Sequence, residues 1–350
     1  MKPRLLVVER HHLGDAVLAI PFLRAAQKTF ATTVLCRPEV ADFLRIAVPE
    51  VAVLGTESGW FGQAAAVRRL ALTSSDAAAC VWADARAHVL MLISGAGQRA
   101  GFPMTRTNYY AAELPWRKRR LVFGQFLGSL GAWLFGRPLL THPCQRPGPL
   151  QSHLENWSQL ARTMGFEPDQ SVPWVPSGIG TVTRETSEFL ARQGNRRIVL
   201  IHPGGRLPTK RWPHFQALTD RLARNEDYAA LIVQPPSESA PNPCGASQLL
   251  VPTTDIPGLI ALCQAADAVV CNDSFPAHLA AALGKPVVSI FGSGNPAWFA
   301  PFRNAERIAA TDVCPHRPCI DRCVMPSVVC LESVAVDLVE SQLRRAGNAG

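Results

Sequence analysis

Lysine is scarce in this chain. Of its 35 basic residues only Lys2, Lys28, Lys118, Lys210 and Lys285 are lysines, and arginine carries the formal net charge of +8. No recognised nucleic-acid motif accompanies that charge, so nucleic acid is not an expected partner. An anionic ligand or lipid surface is the other reading, and plain solubility is the third. Also missing is any apolar run of the ~18 residues that a membrane-spanning helix needs. The first apolar run, Leu5 to Val8, is broken at once by Glu9 and Arg10, which is not the pattern of a secretory leader. A cytoplasmic protein is therefore expected. Disorder is not, because 47% of the residues are hydrophobic and 18% charged, an ordinary globular balance.

In that compartment the ten cysteines are not expected to form a disulfide framework. Cys36, Cys80, Cys263 and Cys271 lie in apolar runs, as small buried hydrophobes do. Cys314, Cys319, Cys323 and Cys330 are clustered with the spacing C-x4-C-x3-C-x6-C, which is not that of a zinc ribbon. They are candidates for a structural metal or iron–sulfur site. Thiols in an ordinary loop are the alternative.

Strand-like and helix-like segments alternate along the chain. Leu5 to Val8 is a continuous apolar strand, and Leu18, Phe22, Leu23 and Ala26 then recur at helical spacing. Thr32 to Leu35, Ala78 to Ala83 and the helix-like His88 to Ser94 continue the rhythm. Residues 117–135 differ. Arg117-Lys118-Arg119-Arg120 precedes an apolar stretch without an acidic residue, which suits either a buried helix or one lying on an anionic membrane surface. Pro173, Pro176, Gly178 and Gly180 mark a join. Beyond it the alternation restarts with strands at Ile198–Ile201, Ala229–Val233, Ala268–Cys271 and Pro286–Phe291. The pattern predicts an α/β protein of two doubly-wound domains, 1–172 and 173–332. A terminal segment, 333–350, carries a helix expected to pack back toward the first domain.

Two strand-to-helix junctions carry charged residues: Arg10-His11-His12-Leu13-Gly14-Asp15 and Asn272-Asp273-Ser274-Phe275-Pro276-Ala277-His278. In open α/β sheets such junctions form the ligand crevice. Polar groups there need partners or a task. Asp15 falls in the first turn of a helix, where a carboxylate is stabilised, as a cap or as a base kept ionised at neutral pH. Ser274 caps a helix or meets an anion at its N-terminus. A third segment, His202-Pro203-Gly204-Gly205 with Lys210-Arg211-Trp212-Pro213, is a Gly-rich turn with a cation beside it, suited to phosphate but not a Walker A loop.

Together these segments resemble glycosyltransferase family 9, whose best-known members are ADP-heptose:lipopolysaccharide heptosyltransferases. Arg10 to Asp15 is similar to the family's R-x-x-x-G-D element, and Arg99-Ala100-Gly101 to its R-x-G stretch. His202 to Pro213 resembles its PG…K-x-W-P element. Asp273 to Pro286 with Phe291-Gly292 resembles its D-[ST]-G-x-x-H-x-x-A-A-x-G-x-P…F-G signature. The four-cysteine segment resembles one found in many members.

The resemblance implies a GT-B fold, two Rossmann-like domains facing a central cleft, acceptor domain first and nucleotide-sugar domain second. It implies inverting transfer with no required metal or cofactor. Asp15 resembles the general base, and Lys210 the residue on the donor phosphates. Gly204, Glu238, Asp273, Ser274 and His278 resemble donor-site residues. Arg10, Gly14 and Arg99 resemble acceptor-side or cleft residues. The implied partners are ADP-heptose and a lipid-linked saccharide at the cytoplasmic face of the inner membrane. The alternatives are transfer to protein, with a metal on the cysteines, and a non-catalytic nucleotide-sugar-binding protein of lipopolysaccharide assembly. One departure stands out: Phe275 occupies the position of the signature's glycine. Its ring either blocks phosphate at the helix N-terminus or turns into the core.

Overall fold

The computed structural model describes residues 1–57, 59–71, 75–103, 139–145, 152–236, 239–252, 254–304, 308–319 and 323–347. The chain forms two compact units, Met1–Trp174 and Val175–Gly350. The basic and apolar stretch 117–135 lies outside the described residues.

The first unit runs β1 (Arg4–Val8), α1 (Leu13–Thr29), β2 (Ala31–Cys36), α2 (Pro38–Ala47), β3 (Ala52–Gly55), α3 (Trp60–Ala71), β4 (Ala77–Cys80), α4 (Ala85–Ile93), β5 (Gln98–Gly101), β6 (His142–Pro143) and α5 (His153–Thr163). Its strands pair in parallel in the order β3-β2-β1-β4-β5-β6. This is the strand order of dinucleotide-binding folds. Leu5, Leu6, Val7 and Val8 are all buried, which is why the central strand reads as an unbroken apolar run.

The second unit repeats the plan. It runs α6 (Arg184–Ala191), β7 (Arg197–His202), a 3-10 turn (Pro208–Lys210), α7 (Phe215–Ala223), β8 (Tyr228–Val233), β9 (Gln248–Val251), α8 (Ile256–Ala265), β10 (Ala268–Asn272) and α9 (Phe275–Ala282). After these come β11 (Val287–Ile290), α10 (Pro296–Phe299), β12 (Ile308–Ala309), α11 (Val329–Glu332) and α12 (Val336–Gly347). The parallel order is β12-β11-β10-β7-β8-β9, the same topology read from the other edge.

The final helix, α12, differs from expectation. Val339 and Leu343 are fully buried with Trp212, Phe215, Val288, Ile290 and Leu331 in the second unit's own core. Trp212 Nε1 donates to the Val334 carbonyl at 2.9 Å, and Arg221 pairs with Asp337. The physical reason is the amphipathic face of the helix, which covers β10, β11 and β12 of this sheet. No helix among the described residues is long and apolar enough to cross a membrane.

Candidate active site

In each sheet the winding reverses between two neighbouring strands: β1 and β4 in the first, β7 and β10 in the second. Ligands of such sheets bind outside the carboxyl ends of the strands at this point. Both charged junctions singled out in the sequence fall there, after β1 and after β10.

In the first unit, β1 runs directly into Glu9 and Arg10. Arg10 donates Nε to Gln63 Oε1 at 2.9 Å and pairs with Asp84, the N-cap of α4, through Nη1. Its carbonyl accepts from Arg37 Nε at 2.9 Å. Arg10 therefore ties β1 to α3, α4 and the start of α2. Asp15 is half-buried in the first turn of α1, and its Oδ2 accepts the His12 N–H at 3.1 Å. A carboxylate here is favoured by the helix N-terminus. Gly14, half-buried beside it, falls within the same first turn.

Glu9 was not singled out by the sequence reading, yet it is wholly buried. Its Oε1 accepts the His11 N–H at 2.8 Å. Burial, reinforced by the Asp15 charge, raises its carboxyl from the ordinary 4.5 to about 8. The His11 ring stacks on Trp82 at 4.0 Å, and Trp82 meets His153 at 4.4 Å on α5. Burial lowers His11 to about 4, so the ring is neutral at physiological pH.

In the second unit, Lys210 Nζ lies 2.7 Å from Asp273 Oδ2, an ion pair in contact rather than an aligned hydrogen bond. The Asp273 side chain is 5% exposed and that of Lys210 is 22% exposed, so Lys210 is the more open of the two to solvent. His278 is buried on α9 beside this pair, and its Nδ1 has no hydrogen-bond partner among the described residues. Burial lowers it to about 4, opposed by the Asp273 charge and assisted by that of Lys210. Ser274 is the N-cap residue of α9, but its hydroxyl donates to the Asn272 carbonyl at 3.1 Å instead of capping.

Asn272 stitches the site together. Its Nδ2 donates to the Pro203 carbonyl at 2.7 Å and its Oδ1 accepts the Trp212 N–H at 3.0 Å. Arg211 Nε donates to the Gly205 carbonyl at 2.6 Å. Gly204 is required by close approach, since a Cβ there would lie 2.8 Å from Pro235 Cβ.

Each unit thus gathers its own predicted residues: Arg10, Gly14 and Asp15 in the first, Gly204, Lys210, Asp273, Ser274 and His278 in the second. Arg99 is not brought to the first group. Its guanidinium is held by the carbonyls of Leu139 and Ala96, at 2.6 Å each, and Ala96 precedes β5, at the opposite end of the strand from the crevice. Glu238 lies outside the described residues. Phe275 is half-buried, so its ring is neither lost in the core nor fully presented. Among the described residues no three His, Cys, Asp or Glu side chains come together as a metal-binding group, the four cysteines included. Cys314, Cys319 and Cys330 are buried and Cys323 is partly exposed, all as free thiols. Gln63 and Asp84 were missed because Arg10, their partner, comes from a distant segment; Glu9 carried one signal, a charged residue directly after an apolar strand.

The profile of "Glycosyltransferase family 9 (heptosyltransferase)" matches residues 128–328, more than half of the chain. A curated relative, lipopolysaccharide heptosyltransferase 2 of Salmonella typhimurium, is 29% identical over 125 residues, 32% of this chain and 36% of the relative. The matched region therefore spans only about a third of that protein. Among solved structures, a family 9 glycosyl transferase from Veillonella parvula has a TM-score of 0.70 at 15% identity, covering 100% of this chain and 99% of the other. The E. coli heptosyltransferase WaaC with ADP has a TM-score of 0.62 at 16% identity, covering 98% and 99%. These likenesses establish the fold, that of GT-B glycosyltransferases.

Proposed function

Since the chain belongs to glycosyltransferase family 9, the heptosyltransferase family, we propose that it moves a heptose from ADP-heptose to a lipopolysaccharide core acceptor, with inversion at the sugar. The observation that carries this reading is the contact pair Lys210–Asp273 beside neutral His278 at the β7/β10 switch point. That arrangement suits a nucleoside diphosphate. Lys210 is the more exposed partner of the pair, Asp273 orients it, and the α9 N-terminus adds a positive dipole end. The solved E. coli relative bound to ADP supports the same donor.

In the reaction, Asp15 accepts the proton of the acceptor hydroxyl. The hydroxyl oxygen forms its bond to the anomeric carbon on the face opposite the leaving group. The bond from that carbon to the diphosphate oxygen breaks, and its electron pair leaves with ADP. Lys210 and the helix N-terminus stabilise the negative charge as it develops, which is an electrostatic contribution to the transition state. No step is routed through a metal.

The acceptor is a lipid-linked saccharide, reached at the cytoplasmic face of the inner membrane by peripheral contact. The basic run Arg117 to Arg120 motivates that placement. The test of the donor assignment is a thermal-shift panel of nucleotides and nucleotide sugars. A ligand of the native state raises stability by mass action, about 2.7 kcal/mol at a hundred times its Kd. ADP-heptose and ADP should raise the melting temperature, and UDP and GDP should not. A panel with no shift for any adenosine diphosphate would overturn the assignment.

A further inference from the structure

The four-cysteine stretch is the one sequence motif that the transfer chemistry does not use. Two of its residues, Arg317 and Cys319, and Leu331 just beyond it meet a single loop of the second unit, Gly292-Ser293-Gly294, which follows β11. Leu331, next to Cys330, fills the space at Gly292: a Cβ there would lie 2.5 Å from Leu331 Cγ. The Cys319 N–H donates to the Ser293 carbonyl at 2.9 Å. Arg317, whose side chain is 11% exposed, donates Nη2 to the Gly294 carbonyl at 3.3 Å. The same guanidinium donates Nη1 to the Thr311 carbonyl and lies 3.6 Å from Asp312.

The loop also meets the donor pair. A Cβ on Gly294 would lie 2.5 Å from Asp273 Oδ2, the atom in contact with Lys210. Three consecutive loop residues are therefore held by the cysteine-bearing segment, and the last of them is pressed against the carboxylate that orients Lys210.

We propose that the cysteine-bearing segment positions the donor-phosphate site, with Arg317 and the Cys319 backbone holding Gly292–Gly294 against Asp273. Arg317 is a positioning residue: its guanidinium meets the Gly294 and Thr311 carbonyls and Asp312, and it acts through the Gly294 backbone. This rests on the donor reading above. Displacement of this support, for example by alkylation of the partly exposed Cys323, is felt at the donor site. By linkage, donor binding must in turn steady the segment.

The test uses the full chain and ADP, with calorimetry for affinity and amide hydrogen exchange for the segment. Arg317→Ala should weaken ADP binding about tenfold, within the range of allosteric couplings. Arg317→Lys, with a cation that cannot bridge two carbonyls, should recover part of that loss. In a Lys210→Ala background, Arg317→Ala should change ADP affinity less than about threefold, because its effect passes through Lys210. A merely structural residue would not show that dependence. In the unsubstituted protein, ADP should slow exchange at the Cys319 amide about tenfold, and this readout decides alone if Arg317→Ala does not fold. ADP binding that leaves Cys319 exchange unchanged and is indifferent to Arg317 overturns the coupling only. Absence of ADP binding by the unsubstituted chain overturns the donor reading and the coupling with it.

Discussion

Glu9→Gln should stabilise the protein, and the gain should grow with pH. Glu9 is wholly buried at the carboxyl end of β1, and its carboxyl is raised from 4.5 to about 8 by burial and then by Asp15. The folded state therefore keeps a proton that the unfolded state releases. Stability from this group is fully present below pH 4.5 and is lost as pH rises toward 8. At 1.36 kcal/mol per pH unit, the cost is ~1 kcal/mol at pH 5, ~3 at pH 7 and approaches ~5 above pH 8. Glutamine keeps the acceptor for the His11 N–H and removes the titration. The difference in unfolding free energy between the variant and the native chain should therefore widen by ~2 to 3 kcal/mol from pH 5 to pH 7. The titrations of groups remote from Glu9 cancel in that difference. Urea unfolding followed by tryptophan fluorescence, at pH 5, 6, 7 and 8, measures it. Parallel stability curves for the two proteins would refute a proton-holding Glu9.

Lys210→Ala should weaken ADP binding by ~1.5 to 3 kcal/mol in calorimetry, the range for a hydrogen bond to a charged group. Unchanged affinity would place Lys210 away from the phosphates. His88 is wholly buried, neither ring nitrogen has a hydrogen-bond partner among the described residues, and burial lowers it from 6.5 to about 4. Its unfolded form gains a proton first, so stability falls as pH drops from 6.5 to 4; His88→Leu should flatten that limb of a melting-temperature profile by up to ~3 kcal/mol, and an unaltered limb would contradict this. Phe275→Gly should cost ~1 to 2 kcal/mol of stability, from a half-buried ring and a glycine at a helix start, and leave ADP affinity within about threefold. An affinity that rises tenfold or more would mean that the ring obstructs the phosphate.

How much could be read from the sequence follows from burial. The central strands β1, β7, β8 and β10 are covered on both faces, so they appear as apolar runs that need no further clue. The outer strands do not. β5 reads Gln-Arg-Ala-Gly, and the Arg99 guanidinium there is accepted by the Ala96 carbonyl just before the strand and by the distant Leu139 carbonyl. The edge strands β6 and β12 are two residues each, too short to carry a period. The site residues stood out as charges placed after apolar strands. Their supports did not: the link from Asn272 to Pro203 and that from Arg10 to Asp84 join positions brought together only by the sheet order. The amphipathic face of α12 was visible, but which sheet it covers depends on the tertiary contacts of Val339 and Leu343. The role of the loop 292–294 was hidden for a related reason, since a glycine's close neighbours leave no mark in its own sequence.

The central claim, that Asp15 is the base of a heptosyl transfer, is tested most directly by a transfer assay with ADP-heptose and heptose-deficient lipopolysaccharide core. The native chain should release ADP in step with heptosylated core. Asp15→Asn should bind ADP as the native chain does and transfer at least about a hundredfold more slowly, the usual contribution of a positioned base. Transfer by Asp15→Asn at a near-native rate would reduce Asp15 to a helix-terminal carboxylate and contradict the account.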